Sequence, residues 1–200
     1  QVERVVDRIV DEAGHIDCVV NNAGYAQMGP IEDVPTKKVH EQFDVNVYGP
    51  HRLVRAAAPH MREAEDGTFV NVSSVSGKLS VAGTGVYAAS KFAVEAMSDA
   101  LRSELREFDV EVVVVEPGPV ATEFTDRAES EVDDLPRSED YEDLYEIFED
   151  AGLLVGDGPL SVSPQEVAAV ILNAASSTDP ATRYPVGDVA KYGLLARYLP

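Results

Sequence analysis

Residues 110–115 are Val-Glu-Val-Val-Val-Val, an almost unbroken β-branched run. Two substituents on Cβ stiffen χ1 and favour an extended backbone. A strand this apolar has little to offer water on either face, so it belongs in a parallel sheet covered by helices. Shorter runs at 16–20, 68–73 and 184–187 have the same strand character. Between them the apolar spacing becomes helical. Val2, Val5, Val6, Ile9 and Val10 mark a helix over 1–13, ended by Gly14. Residues 36–63 carry Val39, Phe43, Val47, Leu53, Val54 and Ala57, and residues 86–107 carry Phe92, Val94, Met97, Leu101 and Leu105. Ser163-Pro164-Gln165-Glu166 is a capping box with proline at the first helical position, opening a helix to about residue 175. Residues 188–199 form a terminal amphipathic segment. This alternation predicts an α/β fold, a parallel sheet with right-handed crossovers.

Two hundred residues, 44% of them hydrophobic, suit one domain with a sizeable core. No apolar run reaches membrane-span length and no signal peptide opens the chain. The lone cysteine, Cys18, cannot form an internal disulfide, and a cytoplasmic location is the default expectation. Cys18 and the four histidines (His15, His40, His51, His60) show no metal-ligand spacing, so no metal is expected. Thirty-six acids oppose 16 bases, a net charge of −20, and only five of the bases are lysines. That balance argues against nucleic acid or an anionic membrane as a partner. The acids are spread along the whole chain, a halophilic pattern in which carboxylates keep the surface hydrated and salt screens their repulsion. An ordinary acidic protein is the alternative.

The chemistry gathers at 71–91. Tyr87 and Lys91 are four apart and share one helix face. An ammonium beside a phenol favours the phenolate and lowers its pKa, which suits the phenol for proton transfer. Ser74 leaves the strand at 68–73 beside the start of that helix. A surface tyrosine stacked on a lysine stem is the bland alternative. Upstream, Pro50 has no N–H to give the carbonyl of Asn46, so a helix opened there can hold a water on the freed oxygen; a plain kink, or two separate helices, would look the same. Asn21-Asn22-Ala23-Gly24 follows a strand, where an open α/β sheet binds its ligand, although the same residues make ordinary turns. Pro117, Gly118 and Pro119 stiffen the loop after residues 110–115. Residues 131–150 hold ten acids and one base, with Tyr141, Leu144, Tyr145 and Phe148 on one helical face. An insertion of this length, about 123–160, is expected to be a lid.

The chain resembles the short-chain dehydrogenase/reductase family. Asn21-Asn22-Ala23-Gly24, Asn46, Ser74, Tyr87-Ala88-Ala89-Ser90-Lys91 and Pro117-Gly118-Pro119-Val120-Ala121-Thr122 occur in the family's order and spacing, over essentially all 200 residues. The wording of residues 117–124 and 183–187 looks most like the 17β-hydroxysteroid and retinol dehydrogenase branch. The resemblance implies a Rossmann-like, doubly wound parallel sheet in three layers, α/β/α, and a homodimer or homotetramer. Tyr87 would be the general acid/base, Lys91 would lower its pKa and hold the nicotinamide ribose, and Ser74 would hold the substrate carbonyl. Asn46 would anchor a relay water. Asn22, Ala23 and Gly24 would line the cofactor, with Pro117, Gly118, Val120 and Thr122 at its nicotinamide end. The reaction would be reversible hydride transfer between NAD or NADP and a secondary alcohol or ketone.

The family's opening strand, glycine-rich turn and helix, which seat the pyrophosphate, have no counterpart in the 200 residues. The first three strands are expected to be absent, and with them the residue that chooses NAD or NADP. A strand at 16–20 would then stand at an open edge. A truncated inactive product, or a scaffold pairing with a full-length relative, are the alternative expectations.

Overall fold

A computed structural model describes residues 1–150 and 160–192. Helix α1 (Val2–Ala13) ends at Gly14, whose φ of 86° puts it in the left-handed region that glycine enters without strain. Strand β1 (Cys18–Asn21) follows, two residues later than the apolar run begins. Helix α2 (Thr36–Phe43) passes into a π turn, Asp44–Tyr48, and then into α3 (Gly49–Ala64). The expected opening ahead of Pro50 takes that form: the Gly49 N–H donates to the Asp44 carbonyl, five residues back. Strand β2 (Gly67–Val72), helix α4 (Gly85–Leu105) and strand β3 (Val110–Pro117) come next. Helices α5 (Phe124–Asp133) and α6 (Glu142–Asp150) fill the acidic segment. Helix α7 (Pro164–Ser176) carries the expected capping box, complete in both directions. Strand β4 (Arg183–Val186) and the short α8 (Asp188–Tyr192) close the described chain. The Phe148 side chain and the last residues of the terminal amphipathic segment lie outside the described residues.

The sheet is parallel throughout, in the order β1-β2-β3-β4. Alternation along the strands divides the core. Val19, Phe69 and Val112 face α1, α3 and α4, among Val6, Met61 and Leu105. Val70, Val113 and Val115 face α7, among Val167 and Ala174. The result is three layers, helices on both faces of one sheet. Val112 to Val115 are fully buried, as their side chains demand, while Glu111 points out.

Two apolar stripes divide their positions between core and surface. Val5 and Ile9 of α1 are exposed while Val6 is buried, and Phe92 and Met97 of α4 are exposed while Val94 and Leu105 are buried. Helical spacing finds a stripe, but the stripe is wider than what the sheet covers. Strand β1 pairs with β2 alone among the described residues, and Val20 on it is 42% exposed. No described helix is long and apolar enough to cross a membrane.

Candidate active site

Parallel strands put their C-terminal ends on one edge, and three loops leave it there. Asn21 pairs in register with Asn71, and Val72 with Val115. Asn22, Ala23 and Gly24 therefore emerge beside Ser73 and Ser74, which emerge beside Gly118 and Pro119. Asn22, Ala23 and Gly24 are exposed, as is Thr122, whereas Pro117 is buried and Gly118 and Val120 are half-buried.

Ser74 sits extended at the start of a 3-10 turn, its Oγ accepting from the Ser76 N–H at 3.1 Å. Helix α4 begins eleven residues later and brings Tyr87 and Lys91 to the same edge. All three are buried, at 9%, 7% and 6% exposure. The Lys91 Nζ donates to the Val72 carbonyl at 2.9 Å and stands 5.9 Å from the centre of the Tyr87 ring. Phe124 meets the Tyr87 ring edge-on, with centroids 5.8 Å apart. Tyr87 packs in one apolar cluster with Met28, Val132 of α5, Leu135 just after it and Tyr145 of α6, and these form an apolar wall.

Electrostatics here differ from the sequence expectation. Burial pushes the Tyr87 phenol up to about 12, with the Ser74 hydroxyl pulling the other way. Burial also pushes Lys91 down to about 8, against the attraction of Glu95 one turn on. An ammonium does lower a neighbouring phenol, but loss of water around both groups is the larger effect in this protein.

Asn46 is buried and its side chain works on structure. Its Oδ1 accepts from the Tyr25 N–H at 3.2 Å, and its Nδ2 donates to the Tyr25 carbonyl at 3.0 Å and to Ser90 Oγ at 3.1 Å. This holds the 22–25 loop against α4. A Cβ on Gly24 would lie 3.1 Å from Asn46 Oδ1 and 3.7 Å from Lys91 Nζ. The loop backbone thus runs directly past the ammonium, and only glycine leaves the space between them open. A bare backbone beside a buried cation, flanked by a phenol and a hydroxyl, fits the ribose and nicotinamide portion of a dinucleotide.

The family model for short chain dehydrogenases matches residues 1–133. The chain belongs to this family. An uncharacterized oxidoreductase of Schizosaccharomyces pombe is 33% identical over 192 residues, 94% of this chain and 77% of that one. Retinol dehydrogenase 8 of Bos taurus is 36% identical over 184 residues, 86% of this chain and 56% of its own length. The crystal structure of a short-chain dehydrogenase from Streptomyces avermitilis superposes with a TM-score of 0.83 at 30% identity, over 98% of this chain and 70% of that one. Membership makes the chain an oxidoreductase by family, with a Rossmann-like fold.

Sequence reasoning missed several residues that shape this short-chain dehydrogenase site. Phe124 had no signal, since one aromatic beyond a loop is unremarkable. Glu116 did have one: an acid ending a fully apolar run must be buried and therefore paired. It is 2% exposed and meets Lys78 and Arg183.

Proposed function

We propose that this chain carries the proton-transfer machinery of an NAD(P)-dependent reductase and dehydrogenase acting on a hydrophobic ketone or secondary alcohol. The observation that carries the reading is the buried trio of Tyr87, Ser74 and Lys91 beneath an apolar wall. The dinucleotide supplies or accepts the hydride when bound. Asn22, Ala23 and Gly24 would hold it together with Pro117, Gly118, Val120 and Thr122, and Lys91 would hold its ribose. Ser74 donates to the substrate carbonyl and fixes its orientation. Tyr87, protonated throughout the neutral range, gives its proton to the oxygen as negative charge develops there, and takes it back in the oxidative direction. The main-chain carbonyl of Asn46, which no proline N–H can bind, anchors a water that returns the proton.

Size and polarity of the substrate follow from the wall. Met28, Val132, Leu135 and Tyr145 offer dispersion contact and Phe124 an edge. Helices α5 and α6 act as the lid that excludes water. The 17β-hydroxysteroid and retinol dehydrogenase branch is the placement this apolar seat supports. A cytoplasmic homodimer or homotetramer completes the reading.

A second reading, a scaffold that pairs with a relative along β1 and does not turn over, rests on Val20, which is exposed on a strand paired with β2 alone among the described residues. One assay separates the two. NADH and NADPH oxidation is followed with a panel of ketones. Turnover of hydrophobic ketones above small charged keto acids is expected. The reverse order refutes the substrate class, and no turnover with either nucleotide favours the second reading.

A further inference from the structure

Four ionisable side chains meet behind the site, two buried acids and two half-buried bases. Glu95 and Glu116 are 5% and 2% exposed. Lys78 Nζ lies 2.9 Å from Glu95 Oε2 and 3.4 Å from Glu116 Oε1. Arg183 reaches the same two carboxylates, Nη2 to Glu95 Oε2 at 3.1 Å and Nε to Glu116 Oε1 at 3.1 Å. Asp99 extends the cluster toward the surface, with Arg183 at 2.7 Å and Arg102 at 2.6 Å.

Each member comes from a different segment, and each segment carries part of the active site. Lys78 ends the turn that Ser74 begins. Glu95 follows Lys91 by one turn of α4 and Tyr87 by two. Glu116 adjoins Pro117 and Gly118. Arg183 opens β4, whose Val186 carbonyl accepts from the Gly118 N–H at 3.0 Å. Gly77 lets the turn approach: a Cβ there would fall 2.6 Å from Ser73 Oγ and 3.0 Å from Glu95 Cγ. The turn also has backbone bonds: the Val75 carbonyl takes the Lys78 N–H at 3.0 Å and the Leu79 N–H at 3.1 Å, and the Ser73 N–H donates to the Val115 carbonyl at 2.8 Å. Ser74 Oγ takes the Ser76 N–H, and the Ser74 carbonyl takes the Gly77 N–H at 2.8 Å. Ser73 Oγ and Glu95 Oε1 are both buried with no hydrogen-bond partner. Lys78 adds a side-chain link that ties this turn to Glu95 of α4 and Glu116 of β3 at once.

Buried ion clusters are poor value as stabilisers, because apolar side chains of similar volume hold a core as well. Their directional bonds do specify geometry. We propose that Lys78, Glu95, Glu116 and Arg183 are positioning residues that set the Ser74 turn and the Pro117–Gly118 turn against α4. None of the four touches Tyr87. They fix where the Ser74 hydroxyl stands relative to the phenol. This rests on the reading of Tyr87 and Ser74 as the pair that contacts substrate.

The test compares Lys78→Met, which removes the link, with Lys78→Arg, which keeps the charge. Two quantities are read on folded protein: amide hydrogen exchange at Ser76, Gly77 and Lys78, and ketone reduction. For Lys78→Met, exchange at the three amides rises at least about tenfold while the centre of α4 stays protected. Its kcat falls at least about tenfold, with KM for the dinucleotide within about twofold. Lys78→Arg returns both within about threefold of wild type. Folded Lys78→Met with unchanged exchange, or with kcat within about twofold of wild type, overturns the proposal. Should Lys78→Met fail to fold, Glu95→Gln, which preserves volume, is expected to raise the same exchange at least about threefold, and unchanged exchange there overturns the proposal equally. If wild type reduces no ketone, the functional reading fails, and the exchange measurement alone decides the positioning role.

Discussion

Asn46 grips both backbone polar groups of Tyr25, accepting from its N–H at 3.2 Å and donating to its carbonyl at 3.0 Å. One amide side chain thereby replaces the strand partner that a loop residue lacks. Gln42 Nε2 also donates to the Tyr25 carbonyl, at 2.8 Å, so Asn46→Ala leaves one buried backbone group, the Tyr25 N–H, without its partner, at a cost of roughly 1–3 kcal/mol. The expected loss is about 2 kcal/mol in urea unfolding, and a loss below about 0.5 kcal/mol contradicts this role.

Lys91 makes stability depend on pH in a defined window. Its folded pKa of about 8 lies below the ordinary 10.5. Between these values the unfolded chain holds the proton that the folded chain has released. Stability therefore rises with pH there, by roughly 3 kcal/mol in all at 1.36 kcal/mol per pKa unit. Below about pH 8 both states are protonated and the gradient vanishes. Lys91→Met removes the gradient. Urea midpoints of the two proteins at about pH 8 and about pH 10 check this, and parallel midpoints contradict it.

Much of the fold was legible because its signals are local. The β-branched run at 110–115, the capping box at Ser163 and Gly14 after α1 each specify their element without help from the rest of the chain. Strand edges were less so: Asn21 belongs to β1 only because Asn71 stands opposite it. Tyr87, Lys91 and Ser74 were legible as a group by spacing. The direction of the Tyr87 shift was not, since burial is a property of the assembled core and outweighs a charge that spacing alone suggests. Lys78 and Arg183 stand 105 positions apart, and only the sheet brings them onto the same two carboxylates.

The net charge of −20 works against compactness at low ionic strength. Many of its carboxylates are exposed, as Asp17, Asp133 and Asp134 are, so salt reaches them. Raising KCl from about 0.1 M to about 2 M shortens the screening length from about 10 Å to a few ångströms and is expected to raise the thermal midpoint. A midpoint that falls over that range contradicts the halophilic reading.

The central claim is that the Tyr87 phenol transfers the proton. Tyr87→Phe keeps the ring that meets Phe124 edge-on and removes only the hydroxyl. The deciding measurement is steady-state reduction of a hydrophobic ketone by wild type and Tyr87→Phe, with nucleotide affinity determined alongside. The expected result is a loss of about 10²–10⁴ in kcat with nucleotide affinity nearly unchanged. A variant retaining more than about a tenth of the wild-type rate contradicts the assignment.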